Sequence, residues 1–113
     1  MHEMALAESV LAIVERAARQ HAAARVSSVR LEIGALSHVA PDALRMCFDV
    51  VKRRSVADDA RLEILSTPGA AWCMPCGRRV PLAGRGEPCP ECGSYQLQVA
   101  DGEQMRVMDI EIA

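Results

Sequence analysis

Four of the five cysteines form two closely spaced pairs, the strongest chemical signal in this sequence. Cys73 and Cys76 enclose Met-Pro, Cys89 and Cys92 enclose Pro-Glu, and twelve residues separate the pairs. Two sulfurs on one tight turn can face the same ion, and a second turn completes a tetrahedron of thiolates. A glycine follows each pair and permits the positive φ that directs backbone N–H groups at sulfur. The spacing predicts a structural zinc site.

The same cysteine pattern also serves other chemistry. A redox dithiol is expected on a helix that follows a strand, whereas Pro75 and Pro90 favour turns. A rubredoxin-like iron site uses similar ligands and is left open. With zinc, four thiolates leave no position for water, so the metal would stabilise the fold and would not catalyse hydrolysis. Cys47 lies on an apolar helical stripe, where a small buried hydrophobe is expected.

The amino-terminal residues Met1, His2 and Glu3 form a second pattern with metal chemistry. The α-amine of Met1 and the backbone nitrogen of His2 close a five-membered chelate ring, and the imidazole adds a six-membered ring. The backbone nitrogen or carboxylate of Glu3 would be a fourth donor, and such a planar set suits nickel(II) or copper(II). A histidine here is also common in a frayed terminus, so ligation stays open on this pattern alone. Solvent exposure is expected for His21 and His38.

Length, charge and hydropathy limit the class of protein. The 113 residues allow one modest, mainly aliphatic core plus a small module. A net charge of -2 gives no general attraction to nucleic acid or to an anionic membrane. The sequence lacks a signal peptide and any run long enough to span a bilayer, which predicts a cytoplasmic protein. Thiols stay reduced in that compartment, and this favours metal ligation.

Hydrophobic periodicity places the elements around the cysteines. A period near 3.6 predicts a helix over residues 4–21, and Pro41 is typical of the first turn of a second helix that ends near Arg53. Period-two alternation predicts strands at 28–33, 61–64 and 108–112. The two helices are predicted to bury the apolar side chains at helical spacing, which are Leu6, Val10, Ile13, Val14, Ala17, Leu44, Cys47, Phe48 and Val51.

The cysteine-rich segment, residues 69–94, cannot bury enough apolar surface to fold alone. A terminal strand follows it and needs a sheet to join, so the segment is interpreted as an insertion. The sequence predicts an α+β fold, with a small antiparallel sheet, two helices on one face and an inserted zinc-ribbon module. Residues 1–68 and 101–113 would form an α/β domain, in which nickel binding is still open at this point, and residues 69–100 a zinc-binding domain.

Four segments occur in order along nearly the whole chain: an initial Met-His-Glu-Met, Arg-Leu-Glu-Ile-Gly-Ala-Leu-Ser from Arg30, Cys-Phe-Asp-Val-Val from Cys47, and the cysteine pairs. This combination resembles the HypA/HybF family of hydrogenase maturation factors. The resemblance implies a nickel metallochaperone that helps a partner GTPase insert nickel into the large subunit of [NiFe]-hydrogenase. It implies His2 as the principal nickel ligand, completed by the Met1 amine and Glu3, with zinc held separately by the cysteines.

Two departures from the family pattern concern the surface. His38 stands where a small residue is expected, and the last strand lacks the leucine and the lysine-glutamate pair that are more common in the family. Neither change affects a proposed ligand. They leave open whether His38 is an accessory nickel donor, whether the partner surface differs and whether the chain forms a homodimer.

Two other classes of protein compete with this interpretation. A zinc-ribbon module that binds protein or nucleic acid, without nickel, explains the cysteines but gives the amino terminus no role. In its nucleic-acid form it also predicts a basic surface, which the composition does not supply. An enzyme would need an open metal position or a convergent acid, base and nucleophile, and the sequence shows no such set. We therefore expect a carrier and not a catalyst.

Overall fold

The computed structural model describes residues 2–113, and for His2 it describes only the backbone. No helix in this range is long and apolar enough to cross a membrane. Two helices and six strands occur within it, in the order α1 (His2–Gln20), β1 (Val26–Gly34), α2 (Pro41–Val51), β2 (Arg61–Thr67), β3 (Ala70–Cys73), β4 (Arg78–Pro81), β5 (Leu97–Asp101) and β6 (Met105–Ile112).

The strands form two three-stranded sheets, with the orders β2-β1-β6 and β4-β3-β5. In the first sheet β6 runs antiparallel to β1, with backbone hydrogen bonds from Gly34 N to Gln104 O (2.7 Å) and from Ala113 N to Arg25 O (3.1 Å). In the second sheet β3 pairs antiparallel with both neighbours. The predicted α+β class, with two helices, antiparallel pairing and clustered cysteines, is confirmed.

The residues gather into two compact units. The helical unit contains α1 and α2 and consists of residues up to Leu31, Val39–Leu65 and Arg106–Ala113. The cysteine unit contains the four paired cysteines and consists of Glu32–His38 and Ser66–Met105. The nickel-binding and zinc-binding domains proposed from the sequence stay a prediction.

One stripe of α1 is buried, as the periodicity predicts, but it is rotated from the expected position. Val10 and Val14 are buried, and Ala7 and Ala18 extend the stripe, whereas Ile13 is 47% exposed. Within the helical unit α1 packs against α2. Small alanine side chains therefore occupy part of the buried stripe, although isoleucine is more hydrophobic.

The helix α2 begins at Pro41, as predicted, and ends at Val51, slightly before the expected end near Arg53. Leu44 and Phe48 are its buried residues, while Cys47 is half-buried. Of the three aromatic side chains Phe48 alone lies in the core. The remaining buried side chains of the helical unit are almost all aliphatic, which confirms the predicted core composition.

The core of the cysteine unit depends on a leucine from outside the cysteine-rich segment. Leu36 is fully buried and clusters with Ala71 and Leu82. Its backbone N–H donates to Gly102 O at 2.8 Å, and the preceding Ala35 N–H donates to Thr67 O at 2.9 Å. The structure agrees with the expectation that residues 69–94 cannot form a sufficient core alone, because Leu36, from outside this segment, contributes a large buried side chain to that core.

Replacing Leu36 by alanine is expected to lower the free energy of unfolding by about 2–5 kcal/mol, the usual cost of removing a fully buried leucine. Denaturant unfolding of zinc-loaded protein measures this change. Leu65→Ala is the matched control, because Leu65 is 40% exposed and its truncation should cost less than about 1 kcal/mol. Equal effects of the two substitutions would show that Leu36 is not a core residue.

Candidate metal centre

The four paired cysteines lie on two turns of the cysteine unit. Cys73 is the last residue of β3, and Cys76 lies in the turn that leads into β4. The register pairs Cys73 with Arg78 across this turn. Cys89 and Cys92 lie on the second turn, in the connection between β4 and β5. Two hairpin-like turns thus present their sulfurs to one another, as the sequence predicts.

The two turns share one hydrogen-bond pattern. Gly77 N donates to Cys73 O at 2.8 Å, and Gly93 N donates to Cys89 O at 2.9 Å. Both glycines have positive φ, at 64° and 77°, which confirms the reason for glycine after each pair. In the second turn the backbone N–H of Glu91 also points at the Cys89 sulfur, at 3.4 Å. Such N–H groups stabilise the negative charge of a thiolate.

The sulfur atoms have the separation that a tetrahedral ion requires. All four lie within 4.8 Å of one another. The Cys73 and Cys92 sulfurs are 3.5 Å apart, and those of Cys76 and Cys89 are 3.9 Å apart. Zinc–sulfur bonds of about 2.3 Å in a tetrahedron place the sulfurs about 3.8 Å apart. The cluster therefore fits a structural zinc ion with no further ligand. Among the side chains that the structure describes, those of residues 3–113, no second group of potential metal ligands occurs.

Burial and mutual contact perturb these thiols. Cys73 and Cys89 are buried, whereas Cys92 is exposed. Contacts with the Cys92 and Cys73 thiols raise the pKa of Cys76 to about 12. Burial raises the pKa of Cys89, but the backbone N–H of Cys92 and the neighbouring thiols outweigh this effect, so its pKa lies below the ordinary value. A divalent cation would displace the thiol protons, and its positive charge would stabilise four thiolates at this short separation.

Side chains around the cluster join the two turns. Val80 is buried with Cys73 and Cys89, and Leu97 packs against the same cluster. Arg78 follows the first turn and forms an ion pair with Glu91 inside the second. Because this pair is exposed, its contribution to stability is small and screened by salt. A metal ion held by the four sulfurs would therefore be the main connection between the turns.

The other sulfur and imidazole side chains of the described residues lie outside this cluster. Cys47 lies on α2 but is only half-buried, whereas the sequence predicted a buried side chain. His21 and His38 are exposed, as expected. The structure thus brings together the four cysteines that the C-x-x-C spacing grouped, and their role as zinc ligands stays a prediction.

Most of the predicted nickel site falls outside the described residues. Met1 and the side chain of His2 belong to that part, while the backbone of His2 begins α1. Glu3 is placed and half-buried. Its Oε2 atom accepts a hydrogen bond from the backbone N–H of Ala40, with an N···O distance of 3.2 Å. No feature of the sequence indicated this contact between α1 and the start of α2.

Two solved structures share this fold. The solution structure of the Ni metallochaperone HypA from Helicobacter pylori has a TM-score of 0.68 and 23% identity, and the match covers 97% of this chain and 96% of that one. A second solution structure of a HypA protein has a TM-score of 0.72 and 24% identity and covers 100% and 97%. These likenesses establish the fold.

Sequence comparison extends the likeness over the whole chain. Hydrogenase maturation factor HypA 2 of Bradyrhizobium diazoefficiens is 58% identical over 112 residues, which cover 99% of each chain. HypA of Albidiferax ferrireducens is 55% identical over the same length and coverage. The family model for the hydrogenase/urease nickel-incorporation metallochaperone HypA matches residues 1–112. The resemblance drawn from the motifs is confirmed, and the chain belongs to the HypA family of nickel metallochaperones that act in hydrogenase maturation.

Proposed function

We propose that this chain binds nickel(II) at its amino terminus, through Met1, His2 and Glu3, and delivers the ion for insertion into the large subunit of [NiFe]-hydrogenase. A nickel-inserting maturation GTPase would be the partner in that step. The observation that carries the proposal is the match to HypA maturation factors from the first residue, Met1, to residue 112. Nickel is the cargo, and zinc stays with the protein.

The amino terminus offers the donor chemistry that nickel prefers. An α-amine, a backbone nitrogen and an imidazole joined by five- and six-membered chelate rings form a planar set, which suits nickel(II). The backbone nitrogens of His2 and Glu3 belong to the first turn of α1. N–H groups of a first turn have no acceptor within their own helix. Nickel could therefore replace a proton there without breaking a hydrogen bond of the helix.

The two metal sites differ in the way that delivery requires. A carrier must release its ion, so a terminal site with few protein donors is suited to exchange. The cysteine cluster has four sulfur donors, two of them buried, which would surround an ion on all sides. A closed four-thiolate site holds its metal as part of the fold. We therefore assign transport to the amino terminus and structural stability to the cysteines.

Lengthening the chain by one residue before Met1, or replacing His2 by alanine, is expected to weaken nickel binding at least about 100-fold. Changes to the groups that merely support a metal ligand already cost about 10- to 100-fold, and here a ligand itself is lost. Nickel titration of both variants measures the affinity, and metal analysis should find the same zinc content in each. Intact mass verifies that Met1 is the first residue of the unmodified protein.

His21→Ala is the matched control for the histidine substitution, because His21 is exposed and follows the last residue of α1, outside the site. It should leave nickel affinity unchanged. Unchanged affinity in both the extended chain and His2→Ala would remove the proposed site. The remaining interpretation would then be a zinc-containing interaction module without a nickel function.

A further inference from the structure

The cysteine unit contains an open apolar cavity of about 360 Å³. Four of the six prolines of the chain lie in its wall, and each of them is exposed: Pro68, Pro81, Pro88 and Pro90. The last of these stands between two paired cysteines, so the second cysteine turn supplies part of the wall. Ligand cavities of proteins measure about 300–1,000 Å³. This cavity lies at the lower end of that range, which suits a large side chain of a partner better than a large cofactor.

The walls and the floor of the cavity are rigid. Proline fixes φ at about −65° and has no backbone N–H that needs an acceptor. The floor is formed by Gly69 and Leu82, which are both buried. Leu82 N–H donates to Gly69 O at 3.0 Å, and a Cβ atom added at Gly69 would lie 2.4 Å from Leu82 O. The hollow is therefore preformed, and a preformed site saves the cost of ordering on binding.

Glu87 is the one charged residue among the described residues that line this cavity. No side chain of residues 3–113 forms a hydrogen bond or an ion pair with its carboxylate. The other three acidic residues of the 66–105 stretch each form an ion pair with an arginine; they are Glu91, Asp101 and Glu103. Glu87 therefore places an uncompensated negative charge beside an apolar hollow.

We propose that this cavity is a docking site for a short extended segment of a partner protein, in which a large apolar side chain fills the hollow and a nearby lysine or arginine pairs with Glu87. Burial of the apolar side chain supplies most of the affinity, because it removes apolar surface from water on both partners. The cation supplies selectivity, since an acidic segment would be repelled at the same place. Docking of this kind requires no nickel, so it goes beyond the proposed carrier function.

Selection of random peptides displayed on phage, with zinc-loaded protein as the target, tests the proposal. We expect the enriched peptides to carry leucine, methionine or phenylalanine one or two positions away from lysine or arginine. Selection against the Glu87→Lys protein should reverse the charge preference, with aspartate or glutamate in place of the basic residue. The most enriched peptide is then labelled with a fluorophore, and its affinity for soluble protein is measured by anisotropy.

Two substitutions separate the apolar and the charged contribution. Ala83 is exposed and lines the cavity, so Ala83→Trp should fill the hollow and weaken peptide binding at least about 10-fold, as loss of a central anchor does. Glu87→Gln should weaken binding about 2- to 5-fold and reduce its salt dependence, as expected for an exposed ion pair. Ala100→Trp on β5 and Glu63→Gln on β2 are the matched controls, because both residues are exposed and lie outside the cavity. Far-UV circular dichroism and zinc content verify folding.

Three results would overturn the proposal. The cavity is not a docking site if no peptide is enriched that binds the unmodified protein more tightly than Ala83→Trp. An unchanged preference with Glu87→Lys would remove the role of the charge. A dimer in sedimentation experiments that Ala83→Trp abolishes would identify a second copy of this chain as the occupant. Failure of the carrier function looks different, because the chain lengthened before Met1 would then keep its nickel affinity, whatever the peptide does.

Discussion

Serine in place of Cys89 is expected to abolish stoichiometric zinc binding and to unfold the cysteine unit. Cys89 is 2% exposed and belongs to the cluster that joins the two turns. Structural zinc contributes an apparent free energy of about 10–16 kcal/mol in zinc-finger peptides at neutral pH. Whole domains are stable by only about 5–15 kcal/mol, so a unit with few buried side chains cannot absorb this loss.

Metal analysis and amide hydrogen exchange measure the two parts of this prediction separately. Zinc per chain should fall to near zero, and residues 66–105 should lose protection while α1 and α2 keep theirs. Cys47→Ala is the matched control, because Cys47 lies on α2 in the helical unit, whereas the four paired cysteines belong to the cysteine unit. The Cys47→Ala variant should keep the zinc content of the unmodified protein and the same protection of its amides against hydrogen exchange.

Three outcomes would contradict the zinc assignment. Protection of residues 66–105 that survives complete removal of metal would show that the turns fold without it. A protein purified under reducing conditions with iron in place of zinc would favour the rubredoxin-like alternative. Disulfides within the pairs, with no metal, would favour redox dithiols. In the structure all four paired cysteines are free thiols. The separations between sulfurs of different pairs, 3.5 Å for Cys73 and Cys92 and 3.9 Å for Cys76 and Cys89, are close to those expected around a tetrahedral zinc ion.

Alanine in place of Gly34 is expected to destabilise the cysteine unit by more than about 3 kcal/mol, at the upper end of single-substitution effects. A Cβ atom added at Gly34 would overlap the carbonyl group of Gly102. That carbonyl accepts the Leu36 N–H at 2.8 Å, and a Cβ at Gly102 would itself lie 2.6 Å from the Gly69 Cα. Three stretches of backbone therefore touch here, and backbone atoms cannot rotate away as a side chain can.

Thermal and denaturant unfolding of zinc-loaded protein test this prediction. Gly84→Ala is the control, because a Cβ there would meet only the flexible Glu87 carboxylate, at 2.7 Å. It should change the free energy of unfolding by less than about 0.5 kcal/mol. A cost below about 1 kcal/mol at Gly34 would show that the backbones can separate without loss of the Leu36 contact.

Local pattern was enough to predict the cysteine cluster, both helices and three of the six strands of the described residues, whereas β3, β4 and β5 were not predicted. Pro41 marked the start of α2, and the alternation of Val29, Leu31 and Ile33 marked β1, because these signals act over a few residues. The C-x-x-C pairs fixed all four sulfur ligands, since geometry around an ion is encoded in the spacing itself. These predictions concern interactions between residues close in sequence.

Contacts between distant residues were not predictable in the same way. Leu36 lies beyond the alternation that predicts β1, and only the fold shows that it belongs to the core of the cysteine unit. Ile13 satisfied the helical period but is exposed, because the partner helix and not hydrophobicity alone selects the buried face. The bond between Glu3 and Ala40 joins residues 37 positions apart, and nothing local to either residue specifies it.

The chain passes between its two units four times, after residues 31, 38, 65 and 105. The cysteine unit is thus assembled from two separate stretches, and the shorter one carries Leu36. A gene fragment that encoded only residues 66–105 would lack Leu36. A chain that lost residues 66–105 would keep Leu36 but lose the apolar side chains that pack against it. A single recombination event that added or removed residues 66–105 would therefore also break the packing of Leu36 and lower the stability of the protein. Inheritance as one whole fits the relatives, which match this chain over 99% of their length.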